Sequence, residues 1–232
     1  MKPDTWLETL NCAVEGIIHA VRTQRHMRWH SLACLALVLV TPALGVSAME
    51  FALLCLAAAA VLVAELVNTA VESAVDLACP HRDPRAGAAK DVAAGAVLVA
   101  AFAAAAVGWL VLFPRLRPGL EGALGETART GTVGLVAVVL AVLVSTVVLK
   151  GRVGHGRPLH GGWPSGHAAV AFALATWLAL YSRDALVLLL GGVLAAMVSH
   201  SRLLQRIHSP LEVVAGVLLG VGVALLSFWL VY

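Results

Sequence analysis

The sequence predicts an all-α integral membrane protein: an N-terminal interfacial helix, then about seven transmembrane helices, three in a first module and four in a second. Three observations carry this prediction. The 232 residues are 60% hydrophobic and only 12% charged, against about 25% charged in an ordinary soluble domain. A soluble core cannot hide that much apolar surface. The apolar residues are gathered into stretches near 31–48, 51–77, 88–113, 130–149, 165–182, 185–200 and 210–232, each close to the roughly 20 residues that a spanning helix needs. The basic residues are also sorted between alternate connections, which sets an orientation.

The first element is amphipathic and does not span. Over residues 4–27, Trp6, Leu7, Leu10, Ala13, Val14, Ile17, Ile18 and Val21 recur at helical intervals, with Asp4, Glu8, Glu15, Arg22 and Arg25 mostly on the other side. Such a helix lies in the membrane interface. The start, Met1 to Trp6, lacks a basic segment followed by an apolar core, so no cleavable signal peptide is expected. The second and third spans are joined by a short loop from Cys79 to Gly87. The Pro- and Gly-containing stretch from Pro114 to Thr132 is the longest outer connection and the expected join between modules at 1–118 and 119–232. Small residues, among them Ala57 to Ala60, Ala103 to Ala106 and the pair Gly216 and Gly220, let helices approach closely. Cys12, Cys34, Cys55 and Cys79 show neither close pairing nor metal-ligand spacing and read as small apolar residues.

Orientation follows from charge. With the N-terminus inside, twelve basic residues (Lys2, Arg22, Arg25, Arg28, Arg82, Arg85, Lys90, Lys150, Arg152, Arg157, Arg202 and Arg206) are cytoplasmic, and four (Arg115, Arg117, Arg129 and Arg183) are outside. The expectation is a multi-pass protein of an inner (plasma) membrane with its N-terminus in the cytoplasm. Counting one crossing per stretch puts both clusters of polar residues described next at the cytoplasmic face.

The second span carries Glu65, Asn68, Glu72 and Asp76, which at 100° per residue fall within an arc of roughly 80°. Each ionised carboxylate at membrane depth costs on the order of 3 kcal/mol, so this face demands cations, protons or metal. The third span opens with Lys90 and Asp91 on the same side. Carboxylates beside a lysine suit a divalent metal with the phosphates of a nucleotide; a proton or ion pathway is the alternative on spacing alone. The run from Glu65 through Asn68, Thr69 and Glu72 to Asp76, followed by Ala89, Lys90, Asp91 and Gly95, resembles the prokaryotic diacylglycerol kinase and undecaprenol kinase family, over about residues 5–115. The resemblance implies a membrane lipid kinase, commonly trimeric, using ATP and Mg²⁺. Glu65 would be the base that accepts the proton of the lipid hydroxyl. Glu72 would hold Mg²⁺, and Asn68, Asp76, Lys90 and Asp91 would line the nucleotide site. The family usually has an acidic metal ligand in the stretch Val21 to Arg28, where this chain offers Gln24. An amide oxygen can coordinate Mg²⁺ without the charge, which implies weakened kinase activity.

The second constellation begins at the end of the fourth span. Lys150, Arg157 and Pro158 are followed by Pro164, Ser165, Gly166 and His167, and then by Ser201, Arg202, His208 and Glu212. Cations, hydroxyls and a helix N-terminus suit a phosphate dianion, and two histidines permit attack at phosphorus and protonation of a leaving oxygen. The bland alternative is basic loops that satisfy the positive-inside rule. These residues resemble the type 2 phosphatidic acid phosphatase superfamily, over about residues 130–232, with Glu212 where that family has Asp. The resemblance implies metal-independent hydrolysis through a phosphohistidine. His208 would be the nucleophile and His167 the general acid, with Lys150, Arg157, Ser165, Gly166 and Arg202 holding phosphate. Glu212 closes a capping box with Ser209 and Pro210, and it also sits one turn from His208, where it could orient the imidazole. That family usually has two more spans before its first motif. The substrates expected are phosphatidic acid, phosphatidylglycerophosphate or undecaprenyl phosphates, without a nucleic-acid partner. A lipid-binding scaffold or transporter with worn catalytic residues is the alternative of a different class.

Overall fold

The computed structural model describes residues 5–115, 121–153 and 161–231. It is helical, with no strand among the described residues. Among the described residues six helices are long and apolar enough to cross a membrane, and Gly166–Ser182, within the expected stretch 165–182, is a shorter apolar helix. The chain divides into two compact units, Met1–Gly119 and Leu120–Tyr232.

In the first unit, α1 (Trp6–Thr23) begins at a capping box in which Glu8 N–H donates to the Thr5 hydroxyl and Thr5 N–H donates to the Glu8 carboxylate, both at 3.2 Å. Its apolar face stays open, with Trp6 75% and Leu7 70% exposed, as an interfacial helix requires. The amphipathic pattern continues to residue 27, but α1 stops earlier: Gln24 takes an extended conformation (φ −102°, ψ 122°) and α2 (Arg25–Val40) starts a new helix. The first crossing helix therefore begins six residues before the apolar stretch that announced it, because its first turns carry His26, Arg28 and His30. A 3₁₀ turn over Thr41–Leu44 and the left-handed Gly45 (φ 66°) reverse the chain. Helix α3 (Ala48–Ala78) opens with a second capping box, Ser47 with Glu50. Asp83 caps α4 (Pro84–Leu112), accepting from Arg85 N–H at 2.7 Å, and Pro84 needs no partner at the first helical position.

Ion pairs pin both ends of the α3/α4 hairpin. Arg115 donates to Glu50 at 2.7 Å at one end, and Lys90 donates to Asp76 at the other. With Glu50 marking one interface and a rise of 1.5 Å per residue, Glu65 lies about 22 Å along α3, Glu72 about 33 Å and Asp76 about 39 Å. The hydrocarbon core is only about 30 Å thick. On that placement Glu72 and Asp76 fall at the polar boundary, whereas Glu65 and Asn68 fall within apolar depth. The buried face of α3 comprises Leu54, Val61, Glu65, Asn68 and Thr69, so the same face that packs the unit carries its polar residues.

The second unit contains α5 (Glu121–Val153), α6 (Gly166–Ser182), α7 (Ala185–Leu204) and α8 (Pro210–Val231). With 17 residues α6 is the short one, about 25 Å long. It is also the central one. Ala169, Ala173 and Trp177 bury one face of α6 against Val138 and Val142 of α5 and Ala224 of α8. Gly216 and Gly220 let α8 approach closely: a Cβ at Gly216 would collide with the Ser165 carbonyl, and one at Gly220 with the Ala169 carbonyl. Outward faces remain apolar, with Leu218 68% and Trp229 77% exposed, as lipid contact demands.

Candidate functional site

In the first unit the break at Gln24 positions a side chain. Gln24 uses no side-chain cap at the start of α2; its carboxamide crosses instead to α3, where Nε2 donates to Glu72 Oε2 at 3.0 Å. Asn68 Nδ2 donates to Glu72 Oε1 at 3.1 Å. Both carboxylate oxygens of Glu72 are therefore held by neutral amides whose joint is 48 residues apart in sequence for the Gln24 contact. Asn68 Oδ1 is buried without a hydrogen-bond partner. It is an acceptor awaiting a donor or a cation.

Glu65, one turn before Asn68, is buried, and His30 Nε2 lies 3.3 Å from its Oε1. Asp76 and Lys90 form the ion pair described above. Asp91 is exposed beside Lys90 on α4 and takes no part in it. The structure thus brings Gln24, Asn68 and Glu72 into one cluster and pairs Asp76 with Lys90. His30 is an addition that sequence reasoning missed. Its only signal is a histidine at the edge of an apolar stretch, six residues after Gln24 and one turn after His26.

These residues fit a divalent cation of the Mg²⁺ type only as a partial shell. Among the described residues no group of three or more His, Cys, Asp or Glu side chains is arranged to hold a metal. Glu72, the Gln24 carboxamide and the orphaned Asn68 oxygen are hard oxygen donors, and Mg²⁺ is commonly held by one or two carboxylates together with water and substrate phosphates. The set fits with one negative charge, where a second acidic side chain would supply two.

In the second unit the N-termini of α6 and α8 converge. Ser209 N–H donates to Glu212 Oε2 at 3.0 Å and Glu212 N–H donates to the Ser209 hydroxyl at 3.3 Å, completing a capping box. The same Oε2 is 2.9 Å from His208 Nδ1. Cap and imidazole support coexist in one carboxylate. A carboxylate at Nδ1 fixes the tautomer with the proton there and leaves Nε2 as a lone-pair donor. The loop before α6 is tied to both neighbours: Lys150 Nζ donates to the Gly161 carbonyl at 2.8 Å, Gly162 N–H bonds Glu212, and Ser165 N–H donates to the Glu212 carbonyl at 2.8 Å. Gly161 and Gly162 have φ of 94° and 87°, a region that side-chain-bearing residues rarely enter.

Ser165 is the N-cap of α6, yet its side chain caps nothing and its Oγ is buried without a partner. Gly166 follows as the first helical residue. His167 is exposed on the first turn of α6, within electrostatic reach of Arg202, His208 and Lys150. Arg202, at the end of α7, is half-buried, with Nε donating to the Ser201 hydroxyl at 3.3 Å. Arg157 lies outside the described residues. Lys150, Arg202 and the imidazoles of His167 and His208, gathered by the first turn of α6 whose N-cap hydroxyl is unpaired, form an arrangement with the polarity of an anion site.

Comparison with known proteins covers the first unit. Residues 11–112 match the family model described as prokaryotic diacylglycerol kinase. A diacylglycerol kinase of Synechocystis sp. is 40% identical over 111 residues, 47% of this chain and 63% of that protein. An undecaprenol kinase of Bacillus subtilis is 36% identical over 104 residues, 45% of this chain and 85% of that protein. The chain thus spans less than two thirds of the Synechocystis relative. The family match ends before the second unit begins. No solved structure matches the chain.

Proposed function

The chain belongs to the prokaryotic diacylglycerol kinase family through residues 11–112, and from that premise we propose that its first unit transfers the terminal phosphate of ATP to the hydroxyl of a membrane lipid. The observation that carries the proposal is the α3 face on which buried Glu65 is followed, one and two turns on, by the Asn68–Glu72 pair. Glu65 lies at apolar depth, where a lipid hydroxyl entering from the bilayer meets it, and accepts the hydroxyl proton as the oxygen attacks phosphorus. Lys90, Asp76 and Asp91 sit at the polar end, where the nucleotide arrives from water, and Lys90 offers phosphate a point charge. Glu72, Gln24 and Asn68 would hold Mg²⁺, which when bound offsets charge on the ATP phosphates. Gln24 gives this site one charge fewer than an acidic residue would, so the transfer is slow.

The second unit supports a phosphatase reading through a different observation, the His208–Glu212 contact at 2.9 Å. In this reading His208 Nε2 attacks the terminal phosphorus of a lipid phosphate or diphosphate, the bond from that phosphorus to the oxygen of the departing lipid alcohol or lipid monophosphate breaks, and His167 protonates the departing oxygen. Water then cleaves the phosphorus–nitrogen bond with His167 as base. Lys150, Arg157, Ser165, Gly166 and Arg202 hold the phosphate oxygens. No step needs a metal.

Purified full-length protein is tested in two assays. Transfer of label from γ-labelled ATP to diacylglycerol or undecaprenol in the presence of Mg²⁺ supports the kinase. Phosphate release from phosphatidic acid or undecaprenyl diphosphate with the metal chelated supports the phosphatase. Inactivity in both with retained lipid binding replaces the two enzymatic readings with that of a lipid-binding scaffold.

A further inference from the structure

Transferring a phosphoryl group from ATP to an alcohol releases one proton per turnover near neutral pH. If Glu65 takes that proton, each cycle leaves a protonated carboxyl that must be reset, and Glu65 has little access to water: its side chain is 4% exposed. The buried face around it offers Val61, Asn68 and Thr69, and the Thr69 hydroxyl is already committed to the Glu65 carbonyl at 2.9 Å. Beside it lies a cavity of about 130 Å³ whose walls include Ala33, Cys34, Leu54, Ala57 and Val61. That lining carries no proton away.

His30 is the exception. It also lines that cavity, its Nε2 is 3.3 Å from Glu65 Oε1, and its side chain is 31% exposed. Among the described residues it is the only Lys, Arg or His side chain with a nitrogen within 4.0 Å of the Glu65 carboxylate. It therefore touches the buried base on one side, and on the other it adjoins the exposed polar first turns of α2, Arg25, His26 and Arg28, which lead to water. We propose that His30 is the proton relay of the kinase-like unit: after phosphoryl transfer the proton on Glu65 passes to the lone pair of His30 Nε2, regenerating the carboxylate, and the imidazolium ring then turns away from Glu65, gives that Nε2 proton to water and returns with its lone pair facing the carboxylate. This rests on the reading of Glu65 as the base. The relay needs the tautomer with its resting proton on Nδ1. His30 makes no contact with the lipid or the nucleotide in this role. It acts through Glu65.

The test measures kinase turnover of the full-length protein and of His30→Gln and His30→Ala, with γ-labelled ATP and a lipid alcohol in vesicles. Glutamine keeps a hydrogen-bond donor near Glu65 but cannot shuttle a proton. The expected result is a kcat lower by about 10- to 100-fold in both variants, the lower part of the range for proton-transfer groups, with the KM for ATP and for lipid within about twofold of wild type. Added imidazole restores turnover of His30→Ala in proportion to its concentration, because it can occupy the space that the side chain vacates, and it leaves His30→Gln slow. Three results overturn the relay alone in a wild type that transfers phosphate: full kcat in His30→Gln, a loss expressed in KM, or a loss in His30→Ala that imidazole does not repair while its thermal unfolding matches wild type. A wild type that transfers no phosphate removes the kinase reading itself, and the relay with it.

Discussion

Replacing Gln24 by Glu converts a hydrogen bond into a repulsion that only a cation can relieve. In the structure the Gln24 amide donates to Glu72 Oε2 at 3.0 Å, and Asn68 occupies the other oxygen at 3.1 Å. The substitution removes a hydrogen bond to a charged acceptor, about 1.5–3 kcal/mol, and brings a second negative charge to about 4 Å, which costs about 4 kcal/mol at an effective dielectric constant of 20. Both residues are only partly buried, so solvent screening reduces the sum; about 2–4 kcal/mol is the expected loss of stability without metal. A divalent ion between the two carboxylates reverses the sign. The same 2–4 kcal/mol then appears as a gain in Mg²⁺ affinity of about 30- to 1,000-fold, taking 1.4 kcal/mol per decade. The assay is thermal unfolding of purified Gln24→Glu protein with and without Mg²⁺, together with the Mg²⁺ dependence of phosphate transfer from labelled ATP to lipid. The variant should melt lower than wild type with metal chelated and recover with Mg²⁺, and it should transfer phosphate faster. Equal melting without metal and an unchanged Mg²⁺ requirement would refute the placement of Gln24 and Glu72 at one cation site.

Other consequences follow from single contacts. Ser165→Ala should leave thermal stability equal or higher, because the hydroxyl is buried without a partner and such a group costs about 1–3 kcal/mol, while the KM for a lipid phosphate rises about tenfold; a lowered melting temperature with unchanged KM would make Ser165 a packing residue only. Glu212→Gln keeps an oxygen for Ser209 N–H but cannot hold a charged imidazole, so phosphate release should fall about 100-fold with little loss of stability, and unchanged release would separate Glu212 from the chemistry. Gly220→Val should destabilise by about 1–3 kcal/mol, since its side chain meets the backbone of α6 at Ala169 and Ala173; unaltered thermal unfolding would show that α6 and α8 do not need their close approach.

Much of this architecture is legible because a membrane protein keeps so few polar residues. Glu65, Asn68, Glu72 and Asp76 stand out in α3 because, apart from Glu50 in its first turn, no other Asp, Glu, Asn or Gln interrupts the helix, and the helical period alone puts them on one side. Gly216 and Gly220 announce a close helix crossing in the same way. Three features were not legible. The break at Gln24 is invisible because the amphipathic period runs through it, and only the contact with Glu72 gives the extended residue a reason. The pairing of His30 with Glu65 joins residues 35 positions apart, a separation that local spacing cannot encode. The depth of the carboxylates depends on where α3 starts relative to the membrane. With the Ser47–Glu50–Arg115 cluster placed at one boundary, Glu72 and Asp76 fall outside the apolar core, whereas the apolar stretch alone leaves all four within it. In the second unit, spacing placed Glu212 one turn from His208, but only the structure shows one carboxylate serving as helix cap and imidazole partner together.

The central claim is that one chain carries two separable phosphate chemistries, and the most direct measurement assays one purified preparation for both. Label transfer from ATP to lipid is followed with Mg²⁺, and phosphate release from a lipid phosphate is followed with metal chelated, for wild type, Glu65→Gln and His208→Ala. The account predicts that Glu65→Gln loses only the transfer and His208→Ala only the release. Loss of both activities in either variant, or of neither in both, contradicts it.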